Sequence, residues 1–463
     1  MYNYRKLKYI ISIAITPLLM FCLFSIPVKA ETSISQSTKK YVDGEFIVKF
    51  KSDSSSKSLN NIETMKKDLN RKTIPFGVEV LSTDNLGYTG SKLVKYKGNK
   101  NPEELAKIIK SNYGNNVEYI EPNYILNSLD INSSWVPSDP YYPNLWGLKN
   151  TGQYFLGQFG TPGVDINVEK AWDVTKGDSG VVVAVIDSGV DYTHPDLSNN
   201  MWKNTKEIPN NNIDDDGNGY VDDVNGWNFY QSSNNPMDDY GHGTHVAGTI
   251  AALDNTIGVI GVAPHVKIMS LKFLDSNGKG SIANAIKAIN YAKKMGAKII
   301  NNSWGGGDYS QALYDTIKNY DGLFVAAAGN VGTDNDLYPN YPASYNLPNI
   351  LSVAAIDNIG SLADFSNYGV TTVDVAAPGV RIYSTKPSNS YQSLRGTSMA
   401  TSHVSGIAAL VLSANPLDSA ANIKDSITES VVKLPSLNGK IATGGMVNAY
   451  GAVTSKKNVQ ATP

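Results

Sequence analysis

The sequence predicts an α/β fold, with a largely parallel central sheet and helices on both of its faces, preceded by a small α+β domain. Two observations predict the sheet: short apolar runs recur along the second part of the chain, and a helical stretch stands between two of them. Strands buried on both faces of a parallel sheet have this near-continuous apolar character. A third observation predicts the separate domain, because residues 31–130 differ in composition from the rest.

The first thirty residues have the pattern of a secretory signal peptide. A basic start is followed by an apolar run over residues 9–26, and Val28 and Ala30 supply the small residues of a cleavage site. An uncleaved membrane anchor is the alternative, since the apolar run is rather long. No later run is long enough to span a membrane. We therefore expect an exported protein that is released, without stable membrane association.

Residues 31–130 are expected to form the small α+β domain. They contain 28 charged side chains and no histidine. Residues 43–51 and 117–126 alternate apolar and polar positions as half-buried strands do, and residues 101–114 are spaced as an amphipathic helix. Strands that flank a helix predict a two-layer sandwich.

From Trp135 onward, apolar runs alternate with helical stretches. The runs predicted as buried strands are residues 180–189, 266–273, 297–304, 322–330, 349–357 and 374–379. Residues 281–296 form a predicted helix between two of these strands, which favours parallel pairing. In such sheets the chemistry lies beyond the carboxyl ends of the strands, so we expect functional residues there.

Composition limits the function of this larger region. The chain has 463 residues and is 41% apolar, which is enough for one large domain and a smaller one. Residues 131–463 carry 21 basic and 29 acidic side chains, and this net charge of −8 is unlike that of a nucleic-acid binder. The only cysteine, Cys22, lies in the predicted signal peptide, so the remainder has no disulfide or thiolate metal site.

Three short motifs supply a carboxylate, an imidazole and a hydroxyl. Asp187 follows six consecutive apolar residues, His242 stands between two glycines, and Ser398 stands in GTSMA before an apolar helical run. A helix that begins at Ser398 directs backbone N–H groups toward its hydroxyl and favours negative charge there. Taken singly, Asp187 and Ser398 have an alternative interpretation as helix caps, and His242 as an ordinary structural histidine.

The order of the three residues along the chain decides between enzyme classes. A lipase or esterase requires serine, then acid, then histidine, whereas here the order is Asp187, His242, Ser398, which is the subtilisin order. The remaining histidines are expected to be structural: His194, His245, His265 and His403.

With the blocks DSG, HGTHVAG and GTSMA in this order, residues 139–455 resemble the subtilisin-like serine proteases, the subtilases of peptidase family S8. The resemblance implies a serine endopeptidase in which Asp187 orients His242, His242 moves the proton and Ser398 attacks the scissile carbonyl. It also implies that Asn330 donates to the oxyanion together with the backbone N–H of Ser398. A catalytically silent, peptide-binding scaffold is the alternative, but it predicts that a triad member is missing, and none is.

The same resemblance implies a substrate-binding strand. SWGGG matches the strand beside which the family binds an extended peptide, so Ser303, Trp304, Gly305 and Gly306 are expected to line the substrate. Backbone pairing implies a broad preference, with an apolar or aromatic residue before the cleaved bond. Ser402 departs from the family, which usually has proline there; because proline is tolerated in a first helical turn, we expect no effect on catalysis.

Calcium is the predicted cofactor. Residues 213–223 read IDDDGNGYVDD, and hard oxygen ligands on a tight turn suit this ion. The loop follows the start of an EF-hand pattern, but Asn225 stands where the final glutamate is expected. A solvated acidic loop is the alternative. The candidate ligands here are Asp214, Asp216, Asn218, Asp222 and Asp223.

A second calcium site is implied by the subtilase resemblance alone, since residues 253–259, LDNTIGV, match the calcium loop of the family. The implied ligands are the side chains of Asp139, Asp196 and Asn255 and the backbone carbonyls of Leu253, Ile257 and Val259. Because no disulfide is available, bound calcium would be a source of stability.

Residues 31–130 resemble the inhibitory propeptide of subtilases, of the inhibitor I9 type, especially in GEFIVKFK and VEYIEPNYIL. This implies a propeptide that assists folding, inhibits the enzyme and is removed by self-cleavage near residues 127–137. The expected organisation is a signal peptide over 1–30, a propeptide over 31–130 and a catalytic domain over 131–463. The expected partners are peptide or protein substrates and the chain's own propeptide, and the expected state is a monomer.

Overall fold

A computed structural model describes the greater part of the chain, namely residues 41–51, 55–70, 77–86, 91–124, 136–306 and 308–455. The chain divides into two compact units, residues 1–130 and 131–463. The predicted signal peptide and most of the predicted processing region lie outside the described residues. Across the described ranges, no helix has both the length and the apolar character needed to cross a membrane.

The N-terminal unit is an antiparallel four-stranded sheet with two helices. Its elements are β1 (Tyr41–Phe50), α1 (Ser55–Asn70), β2 (Val78–Asn85), β3 (Lys92–Gly98), α2 (Pro102–Tyr113) and β4 (Val117–Tyr124). The strands lie in the order β2-β3-β1-β4, and β1 pairs antiparallel with both β3 and β4. Helix α2 begins after Asn101, whose side chain accepts the Glu104 N–H at 2.8 Å, as an N-cap does.

One face of this small sheet is buried, as the alternating pattern predicts. Phe46 and Val48 of β1 are fully buried, and they form a core with Met65 of α1 and with Leu105 and Ile109 of α2. The α+β architecture of this unit is therefore confirmed, and its apolar positions explain it.

The C-terminal unit contains thirteen strands and seven helices in its described residues. The strands are β5 (Tyr154–Phe155), β6 (Gln158–Phe159), β7 (Val182–Asp187), β8 (Gly226–Asn228), β9 (Lys267–Lys272), β10 (Ile299–Asn302), β11 (Leu323–Ala327), β12 (Ile350–Ile356), β13 (Val375–Pro378), β14 (Ile382–Lys386), β15 (Ser390–Leu394), β16 (Val432–Lys433) and β17 (Gly445–Met446). The helices are α3 (Val168–Trp172), α4 (His242–Ala251), α5 (Ile282–Lys294), α6 (Gln311–Lys318), α7 (Thr397–Ala414), α8 (Ala420–Glu429) and α9 (Ala449–Thr454).

Nine of these strands form one sheet, in the order β16-β17-β13-β12-β11-β10-β7-β9-β8. Strand β7 pairs parallel with β10 on one side and with β9 on the other. Only β16 runs antiparallel to its neighbour among the described pairs of this sheet. The predicted, largely parallel sheet is confirmed, and each of the six predicted strands is present. The strand that carries Asp187 lies inside the sheet, where both neighbours fix its position.

Successive side chains of the central strands enter two separate cores. In β7, Val183 and Val185 belong to the core that includes residues of α4 and α7. Ala184 and Ile186 belong to the core that includes residues of α5 and α6. Helices therefore cover both faces, which explains why these strands are apolar at every position.

Candidate active site

The three residues of the predicted triad occupy the ends of three elements. Asp187 is the last residue of β7, His242 is the first residue of α4, and Ser398 is the second residue of α7. The structure brings Asp187 and His242 into direct contact, with 2.8 Å between His242 Nδ1 and Asp187 Oδ1. The same carboxylate oxygen also accepts the Ser188 N–H at 2.7 Å, which fixes its direction.

The environment of His242 suits a base that carries a positive charge transiently. The Asp187 side chain is 0% exposed and the imidazole 21%. Burial disfavours the charged imidazole, but the charge and hydrogen bond of Asp187 outweigh it, so the pKa of His242 is raised above its ordinary value. A proton received by His242 is therefore stabilised at this position.

Ser398 is nearly buried, and its hydroxyl donates to a backbone carbonyl. The acceptor is the oxygen of Ser303, at 3.0 Å. This is the only hydrogen bond of the Ser398 hydroxyl within the residues that the structure describes. In this arrangement the hydroxyl proton of Ser398 is directed to the Ser303 carbonyl, just after β10, rather than to His242.

Two nitrogen atoms that carry N–H groups lie close to the open space at Gly396. Asn330 accepts the backbone N–H and the hydroxyl of Thr397 with its Oδ1, at 2.8 and 2.9 Å, which leaves its NH₂ group to donate elsewhere. A Cβ atom placed on Gly396 would lie 3.5 Å from Asn330 Nδ2 and 3.7 Å from the Ser398 nitrogen. Because glycine leaves this space open, both donors can reach one oxygen atom there, which is the requirement for an oxyanion hole.

Asp238 is a buried carboxylate that sequence analysis missed, and it supports the positions of both Asp187 and His242. Asp238 accepts the Ser188 hydroxyl at 2.8 Å and the Gly241 N–H at 2.8 Å, and the Thr244 N–H and hydroxyl at 2.9 and 2.6 Å. Ser188 in turn accepts the Gly243 N–H at 2.9 Å. These bonds tie the residue after Asp187 to the backbone on both sides of His242. The available signal was the position of Asp238, four residues before His242.

The predicted substrate strand continues from the end of β10 and is tied to neighbouring elements. The Trp304 indole donates to the Ile186 carbonyl at 2.9 Å, and its ring lies 4.7 Å from that of Phe273. Trp304, Gly305, Gly306 and Phe273 are among the residues that line a cavity of about 370 Å³. An extended chain beside this strand can therefore place a side chain in a partly apolar cavity.

Two of the other histidines are fully buried and hydrogen-bonded to the backbone. Burial lowers the pKa of His245 to about 3 and that of His403 to about 4. His245 Nε2 lies 3.0 Å from the Ile382 carbonyl and 3.2 Å from that of Gln392. These contacts join α4 to both strands of the β14–β15 hairpin, which precedes Ser398, so His245 has a structural role.

Around Asp139, several oxygen atoms accept no hydrogen bond from the described residues. Asp139 is 2% exposed, and its Oδ2 has no hydrogen-bond partner in the described chain. Burial raises the pKa of Asp139 to about 7 and that of Asp196 to about 6. The carbonyl oxygens of the other implied ligands, Leu253, Ile257 and Val259, accept no hydrogen bond from any described residue. Two buried carboxylates with free carbonyl oxygens nearby fit a hard cation such as calcium.

Asn255 is placed at this site but is engaged by the chain itself. Its Nδ2 donates to Asp196 Oδ1 at 2.8 Å, and its Oδ1 accepts the Ile257 N–H at 2.6 Å. The Asn255 side chain therefore lies between the loop and Asp196, and its oxygen is shared with a backbone donor. Tyr391, which sequence analysis did not identify, also donates to Asp196, at 3.2 Å.

The acidic loop brings together only part of its predicted ligand set. Carboxylate oxygens of Asp214 and Asp216 lie within 4.8 Å of each other and of Glu207, a residue that sequence analysis missed. Asn218 is next to them, with its backbone N–H bonded to Asp214 at 2.9 Å.

Asp222 and Asp223, which are also predicted ligands, lie outside this group of carboxylates and accept hydrogen bonds from the chain itself. Asp222 accepts the backbone N–H groups of Asn211 and Asn212, at 3.1 and 3.0 Å. Asp223 is fully buried and accepts the Tyr291 hydroxyl at 2.6 Å. Both side chains are used to hold the loop in shape.

Comparison with known proteins agrees with this geometry. The sequence profile of the subtilase family matches residues 178–453, and that of the fervidolysin N-terminal prodomain matches residues 27–123. The chain is 36% identical to a thermophilic serine proteinase of Bacillus sp. (strain AK1), over 92% of this chain and 91% of that protein. It is 37% identical to thermitase of Thermoactinomyces vulgaris, over 69% of this chain and 99% of thermitase.

A relative from a third organism gives a similar result. Subtilisin-like protease 1 of Plasmodium vivax is 40% identical over 61% of this chain and 48% of that protein. The family profile covers more than half of the chain, and it includes the ends of β7, α4 and α7. The chain therefore belongs to the subtilase family and is a subtilisin-like serine endopeptidase with an N-terminal prodomain.

Proposed function

We propose that this endopeptidase is made as a secreted, calcium-stabilised zymogen and cleaves peptide bonds through Asp187, His242 and Ser398. The observation that carries the proposal is the 2.8 Å contact between His242 and a fully buried Asp187. It is supported by the space at Gly396, close to which the Asn330 amide nitrogen and the Ser398 backbone nitrogen both lie.

The reaction follows from these positions. His242 accepts the proton of the Ser398 hydroxyl while Ser398 Oγ forms a bond to the scissile carbonyl carbon. The negative charge that develops on the carbonyl oxygen is stabilised by Asn330 Nδ2 and the Ser398 N–H. His242 then gives its proton to the leaving amine, and the C–N bond breaks. Water hydrolyses the acyl-enzyme with His242 again as the base, while Asp187 stays ionised throughout.

The substrate is an extended peptide that pairs with the backbone of Ser303, Trp304, Gly305 and Gly306. Backbone pairing requires no particular side chain, so the sequence preference is broad. The cavity beside Trp304 and Phe273 accepts an apolar side chain of the substrate. An apolar or aromatic residue before the cleaved bond remains our expectation.

Calcium is proposed as a stabilising ion at two places. Asp139, Asp196 and the carbonyls of residues 253, 257 and 259 would hold one ion, which is supported by the unpartnered Asp139 Oδ2. The acidic loop would hold another through Glu207, Asp214 and Asp216. When bound, the ion supplies positive charge among buried carboxylates and thereby favours the folded state. It takes no part in the reaction.

Export and self-activation complete the proposal. Residues 1–30 would direct secretion, and residues 31–130 would act as chaperone and inhibitor until cleavage near residues 127–137. A trans-acting protease is the alternative route of activation. A catalytically silent scaffold is the alternative function, and the complete set of predicted catalytic residues argues against it.

The decisive experiment follows the mass of the chain over time. Residues 31–463 are expressed in calcium as the parent, as Ser398→Ala and as Ser402→Ala, the last being a control that removes a different buried hydroxyl of α7. We expect the parent and the control to be shortened to the C-terminal unit, while Ser398→Ala stays whole. If all three stay whole while folded, a trace of active subtilase followed by an amide substrate distinguishes activation in trans from a silent scaffold.

A further inference from the structure

The nucleophile rests on a buried chain of polar groups that begins and ends on α7. The Ser405 hydroxyl donates to Asn301 Oδ1 at 2.9 Å, and Asn301 Nδ2 donates to the Ser303 hydroxyl at 2.8 Å. The Ser303 hydroxyl donates to the Ser398 carbonyl at 3.1 Å, and the Ser398 hydroxyl donates back to the Ser303 carbonyl at 3.0 Å. We call Ser405, Asn301 and Ser303 the brace.

The residues of the brace are buried, so each depends on its own hydrogen-bond partner. Ser405 and Asn301 are 0% exposed, and Ser303 is 5% exposed. Because water cannot replace a lost partner at such positions, each polar group is held by its neighbour in the chain. Asn301 lies in β10, and Ser405 lies about two turns after Ser398 on the same side of α7. The brace therefore fixes Ser303 relative to both the sheet and the helix that carries Ser398.

The Ser303 carbonyl has two competing donors once a peptide binds. In the substrate-free chain it accepts the Ser398 hydroxyl. A peptide that pairs with this strand offers its backbone N–H groups to the strand carbonyls, and Ser303 lies at the start of the strand. When a peptide N–H occupies the Ser303 carbonyl, the Ser398 hydroxyl loses its acceptor and can turn to His242.

We infer that Asn301 and Ser405 are positioning residues that hold the Ser303 carbonyl as the resting acceptor of Ser398, so that a bound peptide backbone releases the nucleophile to its base. This inference rests on the proposed function. It makes readiness of the serine depend on a backbone N–H of the ligand, a property that simple proximity of Ser398 and His242 does not give.

The test compares two reagents that modify the same hydroxyl. Phenylmethylsulfonyl fluoride has no backbone amide, whereas a peptidyl diphenyl phosphonate has the N–H groups of a substrate. Second-order rate constants of inactivation are measured for the mature parent enzyme, for Ser405→Ala and for Ser402→Ala. The control is closely matched, because Ser402 is also 0% exposed in α7, but its hydroxyl donates to Met399 of its own helix.

Ser405→Ala leaves Asn301 Oδ1 without its donor and loosens the brace. We expect the sulfonyl fluoride to react about three- to ten-fold faster with this variant, the size expected for one weakened hydrogen bond. The peptidyl reagent should react within about two-fold of the parent rate, because its own N–H already releases Ser398. Ser402→Ala should change neither rate. A change in packing alone would alter both reagents together, so the ratio of the two rates is the readout.

An unchanged ratio in Ser405→Ala, or a slower reaction with both reagents, would overturn the inference and leave the proposed function intact. If neither reagent modifies Ser398 of the folded parent, the proposed function itself fails. A second measurement needs no variant: N-methylation of the peptidyl reagent at the amide opposite Ser303 should slow the parent reaction about ten-fold, and a loss no greater than at the next amide contradicts the inference.

Discussion

Two buried aspartates of the C-terminal unit have opposite surroundings. Asp238, beside the dyad, is 6% exposed and Asp139 is 2% exposed. Asp238 accepts hydrogen bonds from the backbone and hydroxyl groups of four residues of its own region, Ser188, Tyr240, Gly241 and Thr244. The Oδ1 of Asp139 accepts one hydrogen bond, from the Asn255 N–H at 3.2 Å. Its Oδ2 has no partner among the described residues.

The difference distinguishes a buried carboxylate whose partners the chain supplies from one that needs a ligand. A buried carboxylate requires either several donors or a cation, because burial without compensation is costly. The loop before α4, the first turn of α4 and Ser188 provide the donors, so the chain itself satisfies the Asp238 carboxylate. The region of Asp139 does not provide them, so its stability should depend on the medium.

The largest expected effect is on kcat, and it tests whether the donors at the catalytic site are already in place. Asn330→Ala removes one of the two donors at the Gly396 space, and kcat should fall about 10²- to 10³-fold with little change in KM. Steady-state kinetics on a peptide amide provide the measurement. A loss below tenfold would mean that another donor replaces Asn330 and that the site is less preorganised than its contacts indicate.

The next effect concerns the region of Asp139. Chelation should lower the melting temperature of the mature parent by about 5–10 °C. This range is expected when the concentration of free ion is well above its dissociation constant. Asp139→Asn should melt below the parent in calcium but not below it in chelator, because the variant no longer buries an unpaired charge.

A paired carboxylate outside the proposed calcium loop provides the control for this reversal between calcium and chelator. Asp374 already pairs with Lys424 at 3.0 Å, so Asp374→Asn should show the same order of melting temperatures relative to the parent in calcium and in chelator. Thermal scans of metal-free protein with and without added calcium are sufficient. Parallel curves for the parent and Asp139→Asn would show that no ion compensates this carboxylate.

A smaller effect is a shift along the pH axis. In the proposed mechanism the neutral imidazole of His242 is the base, so activity should fall as the pH decreases through its pKa. Because Asp187 outweighs the effect of burial and raises this pKa, the acid limb of kcat/KM should lie above the ordinary value of about 6.5. A pH profile with an amide substrate measures it. A limb below that value would indicate that burial dominates at His242.

The smallest effect is expected at Ser402. Proline there removes one helical N–H, but the carbonyl four residues earlier, that of Ser398, still accepts the Ser303 hydroxyl at 3.1 Å. Ser402→Pro should therefore keep kcat/KM within a few-fold of the parent. A collapse of activity in a variant that melts normally would show that the first turns of α7 tolerate less change than the loop before α4.

The sequence predicted the sheet and the candidate catalytic residues because their signals are local. Apolar runs mark the buried strands, and Asp187, His242 and Ser398 each stand in a short motif at the end of an element. Asp238 and Asn301 were missed because ordinary buried polar residues acquire a role only through partners that the fold supplies. Glu207 was missed for the same reason, since it precedes the acidic loop and joins Asp214 only when the chain turns back.

Two of the predicted ligands in the acidic loop have partners in the chain itself. Asp222 and Asp223 match the composition of a calcium loop, but their side chains bond to Asn211 and Asn212 and to Tyr291. A sequence pattern cannot distinguish a carboxylate that binds a cation from one that accepts backbone N–H groups, because both occur on tight turns. The direction of each side chain is decided by the three-dimensional path of the loop.

The order of the elements along the chain determines when the candidate site can be completed. Asp187 lies on β7 between β9 and β10, whereas Ser398 is carried by α7, which follows β15 in the chain. The Ser303 carbonyl and Asn330 precede α7, so the nucleophile is the last element of the site to be synthesised. Parallel pairing over such separations also forms slowly. A chain that is still being synthesised therefore lacks Ser398 and cannot complete the candidate site until most of the described C-terminal unit has been made.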